Sequence, residues 1–572
     1  MNLKKCLHGL LLFGMGLMIP CYAFTVLNVT LSPWPLYDRS RKLLVLLTAA
    51  CIALLLLALR ASDRHEAFFA RHERQVLLAA AGFYFAVQMV MAHVLRFVPV
   101  TDAEQCFTAA QLIVDTGTFG NVERPWVYFT RYPFNLGFVY TLAGIFRCFG
   151  LLGWGDRFMQ AALVCSLLFT LGLLAGARVC REMGGVKAQT RMLVLCASCL
   201  PFLYCTTELY TDAFSLAFPT MTVYGFCRLR KAENARSRVL WALAFAASAF
   251  IGAQIKFTSV IAAIACMIVL VFERRGKAAL CACVMLAAAF LSGNALVNGY
   301  TARHLSAEDI RQNELPRLHH IAMGLPIHED EGYGQYGDGG WLIFSTSFED
   351  PEARKEALLE EIIDRVYYLR YPSRLLNMMS RKNLSTFGDG TFRLNEIIEA
   401  DEHAPDNAVK QVIFGQGRWY PAYYHLCTAL FMAQMVIAML ACAQAIRRRN
   451  TAGAPLFIAL VGMFLLLCIW ETRARYFFQF EMVLLCAGAL LETERTLFLK
   501  ISVDKTSKQR YAMYSKRHGG NHHGPQHVRV FLWPVSVWIH GLFALRSIRP
   551  GRKAERPVQS WTGRFLLEDS HY

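Results

Sequence analysis

Apolar residues gather in runs along most of the chain, at about 7–30, 43–59, 76–95, 134–152, 158–177, 192–207, 213–227, 239–255, 257–272, 278–298, 422–446, 453–470 and 476–493. Each is close to the roughly 20 residues that a helix needs to cross hydrocarbon, so the pattern predicts a bundle of membrane helices. Lys4-Lys5 followed by the first run resembles a signal peptide, but no small-x-small site ends it, and it is read as a retained helix. Loops rich in Lys and Arg separate several runs: 60–75, 178–191, 228–238, 273–277 and Arg447-Arg448-Arg449. Cytoplasmic loops collect such residues, which puts these loops inside. Two of them, 60–75 and 178–191, enclose three runs, whereas loops on one side require an even number of crossings. The run 134–152 is the one expected not to cross, because it opens with Tyr132-Pro133 and Asn135, carries Arg147 and is followed at once by Gly153-Trp154-Gly155. It reads as a juxtamembrane or re-entrant helix on the outer side. The basic cluster Arg39, Arg41, Lys42 falls in an outer loop and is discordant.

The expectation is an all-α polytopic membrane protein with about 12 transmembrane helices, both termini inside, a juxtamembrane outer helix and a small extracytoplasmic insert. The divisions are two accessory helices in 1–60, a core in 76–298 with outer loops, the insert 299–420, C-terminal helices in 421–498 and a basic cytoplasmic tail in 499–572 that can lie on anionic membrane lipid. Composition agrees: 55% apolar, 18% charged and a mean hydropathy of +0.33 exclude ordinary soluble or disordered chains. A net charge of +17 would suggest nucleic acid in a soluble protein, but here it orients helices, and no nucleic-acid partner is expected. Most of the 18 cysteines lie inside apolar runs and none in 299–420, which predicts buried thiols, with Cys106 and Cys205 placed to meet near the outer surface.

This topology sends the unusual polar residues to one face. Asp102 and Glu104 follow a span; a partly desolvated carboxylate there suits a general base, while the blander reading is a helix first turn. Glu208 and Asp212 are four apart at a hairpin tip and can share a face, to hold a hard divalent cation or orient the base, or Asp212 can simply cap the next helix. Lys256 sits between two apolar runs and needs water, snorkelling or an anion. With Arg475 and Arg131 it can form a phosphate pocket; the alternative for Arg475 is an ion pair with Glu471. The insert holds His319-His320 and the run Gly332 to Trp341, including Tyr333 and Asp338, residue types that stack on and hydrogen-bond to sugars. The two histidines alone are a weak metal signal and read as structural. The pattern Ala353, Ala357-Leu358, Ile362, Val366 predicts an amphipathic helix over 351–368.

Asp102, Tyr132-Pro133-Phe134-Asn135, Tyr210-Thr211-Asp212, Ile255-Lys256-Phe257-Thr258 and Arg475-Tyr476 occur in an order, over about 76–495, that resembles the GT-C superfamily of membrane glycosyltransferases, in a layout like bacterial protein-mannosyltransferase and aminoarabinose-transferase enzymes. The resemblance implies a polyprenyl-phosphate-linked sugar donor and a glycan, lipid or protein acceptor, at a plasma-membrane site facing outward. It implies Asp102 as base with Glu104, Glu208 and Asp212 in support. It also implies Lys256, Arg475, Arg131 and Tyr476 around the phosphate, and Tyr132, Asn135, His320, Tyr333 and Asp338 around the sugar. No cofactor beyond a divalent cation is suggested. The Tyr-Pro segment lacks the second Pro and the basic or His residue that some relatives carry. The rival class is a transporter or flippase of a lipid-linked or anionic solute, against which stands the absence of an internal repeat in the sequence. An impermeant thiol reagent added outside is expected to label a Gly155→Cys chain above the parent. Protection there, with labelling only from the cytoplasm, overturns the non-crossing assignment of 134–152.

Overall fold

The computed structural model of the protein describes residues 3–31, 41–328, 331–336, 340–400 and 407–493, so Arg39, Asp338 and the basic tail lie outside the described residues. Regular structure there is helical except for one two-stranded ribbon. Eight of the described helices are long and apolar enough to cross a membrane, and two shorter apolar helices, Phe257–Phe272 and Ala454–Ile469, accompany them. Helices are the form such runs take, because the backbone polar groups must be satisfied within the segment. The runs at 158–177 and 192–207 prove to be one helical element, Arg157–Ala197, broken at Gly185, where a φ of 75° suits only glycine comfortably. The last run is helical in two pieces, Arg475–Phe478 and Glu481–Ala489, each too short to cross by itself, and all nine residues of the second are buried.

The ends of these helices sort into two faces. At one, the predicted basic loops meet acids: Arg178 and Arg181 pair with Glu73 at 3.1 and 3.3 Å, Lys187 with Glu66 at 3.2 Å, and Arg230 with Glu273 at 2.7 Å. Beneath them Arg191 makes a bidentate, fully buried pair with Asp63, at 2.7 and 2.8 Å. The opposite face carries the insert and the candidate site. The helix Leu136–Leu151 has both ends at that second face. Asn135 donates to Tyr128 Oη at 2.8 Å, and just beyond its C-terminal end Asp156 accepts from Arg96 at 2.6 Å. Midway, Arg147 reaches the Ile113 carbonyl at 3.1 Å. By length and composition this segment, as Pro133–Leu151, is also one of the eight able to cross, and it is the parity of the basic loops that sets it apart. All 18 cysteines are free, Cys106 and Cys205 included.

The insert is mostly helical and docks on the first helix through polar contacts. Asn28 donates to the Ser380 carbonyl at 2.8 Å, and Asn383 donates to Thr25 Oγ1 at 2.8 Å. The predicted helix is present as Pro351–Tyr368, with Asp350 accepting from the amides of Glu352 and Ala353 and Pro351 at its first position. Its buried face differs from the prediction: Val366 and Ala353 are exposed, while Arg354, Leu358 and Arg365 are buried. Charge is tolerated there because Arg365 pairs with Glu331 and Arg354 donates to the carbonyls of Glu314 and Phe348.

The helix Pro372–Phe387 contributes a buried Lys382 that donates to the carbonyls of Gly324 and Trp470, joining the insert to the helix that ends at Ile469. Burial pushes the Lys382 ammonium down to about 7. Between about pH 7 and 10 the unfolded chain keeps this proton and the native chain releases it, so stability rises with pH across that window by up to about 1.4 kcal/mol per pH unit. Thermal unfolding of the wild type and Lys382→Met over that range is expected to show a steeper rise for the wild type. Parallel curves would contradict the buried, deprotonating lysine.

Candidate active site

Four chain segments bring one ionic cluster together. Asp212 lies in the short helix Thr211–Ser215 and has no exposed surface. Lys256 ends the helix Ala235–Ile255 in extended backbone, which turns its ammonium onto Asp212 Oδ1. Arg475 opens a four-residue helix and lays its guanidinium across the same carboxylate, with Nε at 3.5 Å from Asp212 Oδ2. Its Nη2 lies 3.7 Å from Asp102 Oδ2, and Tyr210 Oη, which donates to that oxygen, is 3.5 Å from it. Asp102 sits in the first turn of Thr101–Asp115. It is far more solvated than the sequence suggested, with 41% of its side chain exposed, against none for Asp212.

Neighbouring side chains fix these groups. The ring of Tyr476 lies under Lys256, 4.6 Å from the ammonium, and its hydroxyl donates to Glu471. Glu471 faces His320 Nδ1 at 3.4 Å and is not the partner of Arg475. Burial pushes the Glu471 carboxyl up, but His320, Tyr476 and the charge of Arg475 outweigh it and hold the group down at about 2. Glu208 is buried with neither oxygen hydrogen-bonded. Burial, then the charge of Asp212, raises its proton affinity well above the usual carboxylate range, opposed by the charges of Arg475 and Lys256. Burial also lowers the affinity of Lys256 for its proton, opposed by Asp212.

Among the residues expected at the site, Asp102, Asp212, Lys256, Arg475 and Tyr476 converge, with Glu208 behind them. Asn135 joins through Tyr210 Oη at 3.4 Å. Tyr132 lies at the edge, its hydroxyl 2.7 Å from that of Tyr336. His320 stacks on Trp470 at 5.0 Å, and Tyr333 presents its carbonyl to Thr472 Oγ1 at 2.9 Å. Glu104 does not converge and pairs with Arg124 at 3.2 Å, and the charge of Arg131 is felt by Tyr132 and Tyr336, which also feel Asp102. Asp338 is outside the described residues. Among the described residues no group of three or more His, Cys, Asp or Glu is placed to hold a metal ion, and the oxygens of Asp212 face cations.

The sequence reading missed Gln479. Its buried Oε1 accepts from Ser215 Oγ and Ser259 Oγ, both at 3.2 Å, and its amide donates to Thr258 Oγ1. One side chain thus fastens the segments of Asp212, Lys256 and Arg475 to each other. An amide inside an otherwise apolar run was the available signal. Also missed was Glu396, which faces Arg475 Nη1 at 3.9 Å.

A family model described as a conserved hypothetical integral membrane protein matches residues 10–496. No curated protein matches the sequence. The chain is similar to two solved structures. One is the archaeal oligosaccharyltransferase AglB from Archaeoglobus fulgidus, in complex with an inhibitory peptide and a dolichol-phosphate, at 12% identity and a TM-score of 0.35 over 83% of this chain and 55% of that one. The other is ArnT from Cupriavidus metallidurans bound to undecaprenyl phosphate, at 11% identity and a TM-score of 0.31 over 73% and 77%. This chain spans only 55% of the length of the archaeal enzyme.

Removing Lys256 leaves Asp212 buried with only Arg475 opposite. Lys256→Met is expected to cost about 3 kcal/mol in thermal unfolding of the purified protein, and adding Asp212→Asn is expected to restore most of it. Equal loss in the single and double variants would show that the pair does not act as a unit.

Proposed function

The chain belongs to this integral membrane family, and from that premise we propose that it is a membrane glycosyltransferase, moving a sugar from a polyprenyl-phosphate donor to an acceptor hydroxyl on the extracytoplasmic face of the plasma membrane. The observation that carries the reading is the exposed Asp102 carboxylate 3.7 Å from Arg475, which is anchored with Lys256 on buried Asp212. A base that solvent and substrate can reach thus stands beside Arg475, which shares Asp212 with Lys256.

In this reading Asp102 takes the proton of the acceptor hydroxyl as its oxygen attacks the anomeric carbon. The bond from that carbon to the phosphate oxygen breaks on the far side, the configuration inverts, and polyprenyl phosphate leaves with the bonding pair. Lys256 and Arg475 meet the charge that grows on the departing phosphate; being held already, they need no reorganisation as it forms. The guanidinium adds planar donor geometry that an ammonium lacks. Tyr132 and Tyr336, joined through their hydroxyls, are aromatic surface of the kind on which sugars pack. A transporter reading would favour charges near mid-membrane, whereas Asp212, Lys256 and Arg475 lie at helix ends.

With a radiolabelled polyprenyl-phosphate sugar, Asp102→Asn is expected to lower transfer by roughly 10²- to 10⁴-fold while inserting normally. Transfer at the wild-type rate would remove Asp102 from the role of base.

A further inference from the structure

Next to the Lys256 position lies a second cationic pocket, of which the proposed reaction uses only Arg475. Arg393, Arg473 and Arg475 converge on one carboxylate, Glu396. Its Oε1 accepts from Arg393 Nη1 at 2.6 Å and lies 3.7 Å from Arg473 Nη1. Its Oε2 lies 3.9 Å from Arg475 Nη1 and, though buried, accepts no hydrogen bond. A carboxylate has two oxygens to offer three guanidiniums, and here one of them is poorly used. A phosphoryl group offers three acceptor oxygens and forms bidentate pairs with arginine, so it matches this set of donors better than the glutamate does.

Charge points the same way. Arg393 has a further acid, Asp389, at 3.4 Å. The other partners of Arg473 are neutral: Gln335 Oε1 at 3.3 Å and the Tyr336 carbonyl at 3.2 Å. Arg475 links the two positions, since its Nε faces Asp212 while its Nη1 faces Glu396. One guanidinium can thus touch two adjacent phosphoryl groups. The backbone is built to deliver this contact: Phe392 and Arg393 both have left-handed φ, 56° and 48°, a conformation that non-glycine residues hold only when their surroundings compel it. Glu396 itself stands on the short turn Leu394–Ile397, so its side chain can swing aside while the ribbon that follows stays paired.

We propose that Arg393, Arg473 and Arg475 form a second anion subsite, which Glu396 fills in this structure and which takes the second phosphoryl group of a polyprenyl diphosphate donor. The inference rests on the glycosyltransferase reading and narrows its substrate class. The bond broken is still that between the anomeric carbon and the phosphate oxygen, and the acceptor proton still goes to Asp102; the leaving group carries both phosphoryl groups.

The test is binding of undecaprenyl phosphate and undecaprenyl diphosphate to the full-length chain in phosphatidylcholine nanodiscs, with inorganic pyrophosphate as competitor. The wild type is expected to favour the diphosphate by about tenfold, Arg473→Gln to reduce that preference to about threefold or less, and Glu396→Gln to increase it. Equal affinity for the two lipids, or a preference unmoved by both variants, overturns the subsite and leaves the polyprenyl-phosphate reading standing. Inorganic pyrophosphate competing as strongly as the lipid overturns the assignment to a lipid donor. Failure of the wild type to bind either lipid overturns that reading and the subsite with it.

Discussion

A carboxylate without exposed surface stands where four chain segments meet, and the arrangement of the site follows from neutralising it. An ionised Asp212 in that position would be prohibitive alone, so two cations must be delivered to it. Lys256 comes from the end of one helix and Arg475 from the start of another, and both are held by the same acid. Neither helix end is placed by hydrophobic packing alone, since packing is indifferent to small rotations that would part these groups. The directional element is Gln479, whose amide bonds to both segments that flank it. Glu208 stands behind this cluster, where burial and the charge of Asp212 favour its protonated form.

Asp102 is held by a different device. The strand β1 (Phe97–Pro99) pairs antiparallel with β2 (Ile398–Ala400), and Thr101, next to Asp102, has a left-handed φ of 54°. For a β-branched residue that conformation is unusual and needs compensation elsewhere. The ribbon supplies it by fixing the chain on one side while the helix Thr101–Asp115 fixes it on the other. Asp102 is therefore aimed by backbone, whereas Lys256 and Arg475 are aimed by side-chain contacts.

What the sequence made legible is explained by the same physics. Apolar runs report helices because hydrocarbon burial needs length, and Asp102, Asp212, Lys256 and Arg475 stood out because charges at the edges of such runs carry a cost that function can justify. Parity of basic loops is a topological constraint and not a local propensity; length and hydropathy alone do not separate Pro133–Leu151 from the other candidate spans. The failures are of another kind. The face of Pro351–Tyr368 was misjudged because Arg365 and Arg354 are buried by partners distant in sequence, Glu331 and the Glu314 carbonyl. The nine-residue helix Glu481–Ala489 was read as a span because burial within protein and burial in lipid produce the same apolar pattern. Glu396 and Arg393 lie in an ordinary polar stretch, and only the fold of the insert brings them to Arg475.

The contrast between the two aspartates divides their chemistry. Both face Arg475, at 3.5 and 3.7 Å, so proximity to a cation does not separate them. Access does. Asp212 is sealed, shares both cations and can exchange a proton with no incoming hydroxyl without breaking the cluster that positions them. Asp102 keeps open surface, has only the looser side of Arg475 and is steadied by Tyr210 from behind. A group that must accept a proton once per turnover needs a path to substrate and a cation that can follow the redistributed charge, and only Asp102 has both. In the proposed transfer reaction the buried acid is thus the scaffold for the cations and the exposed acid the reactive partner, a division set by solvent access and not by residue type.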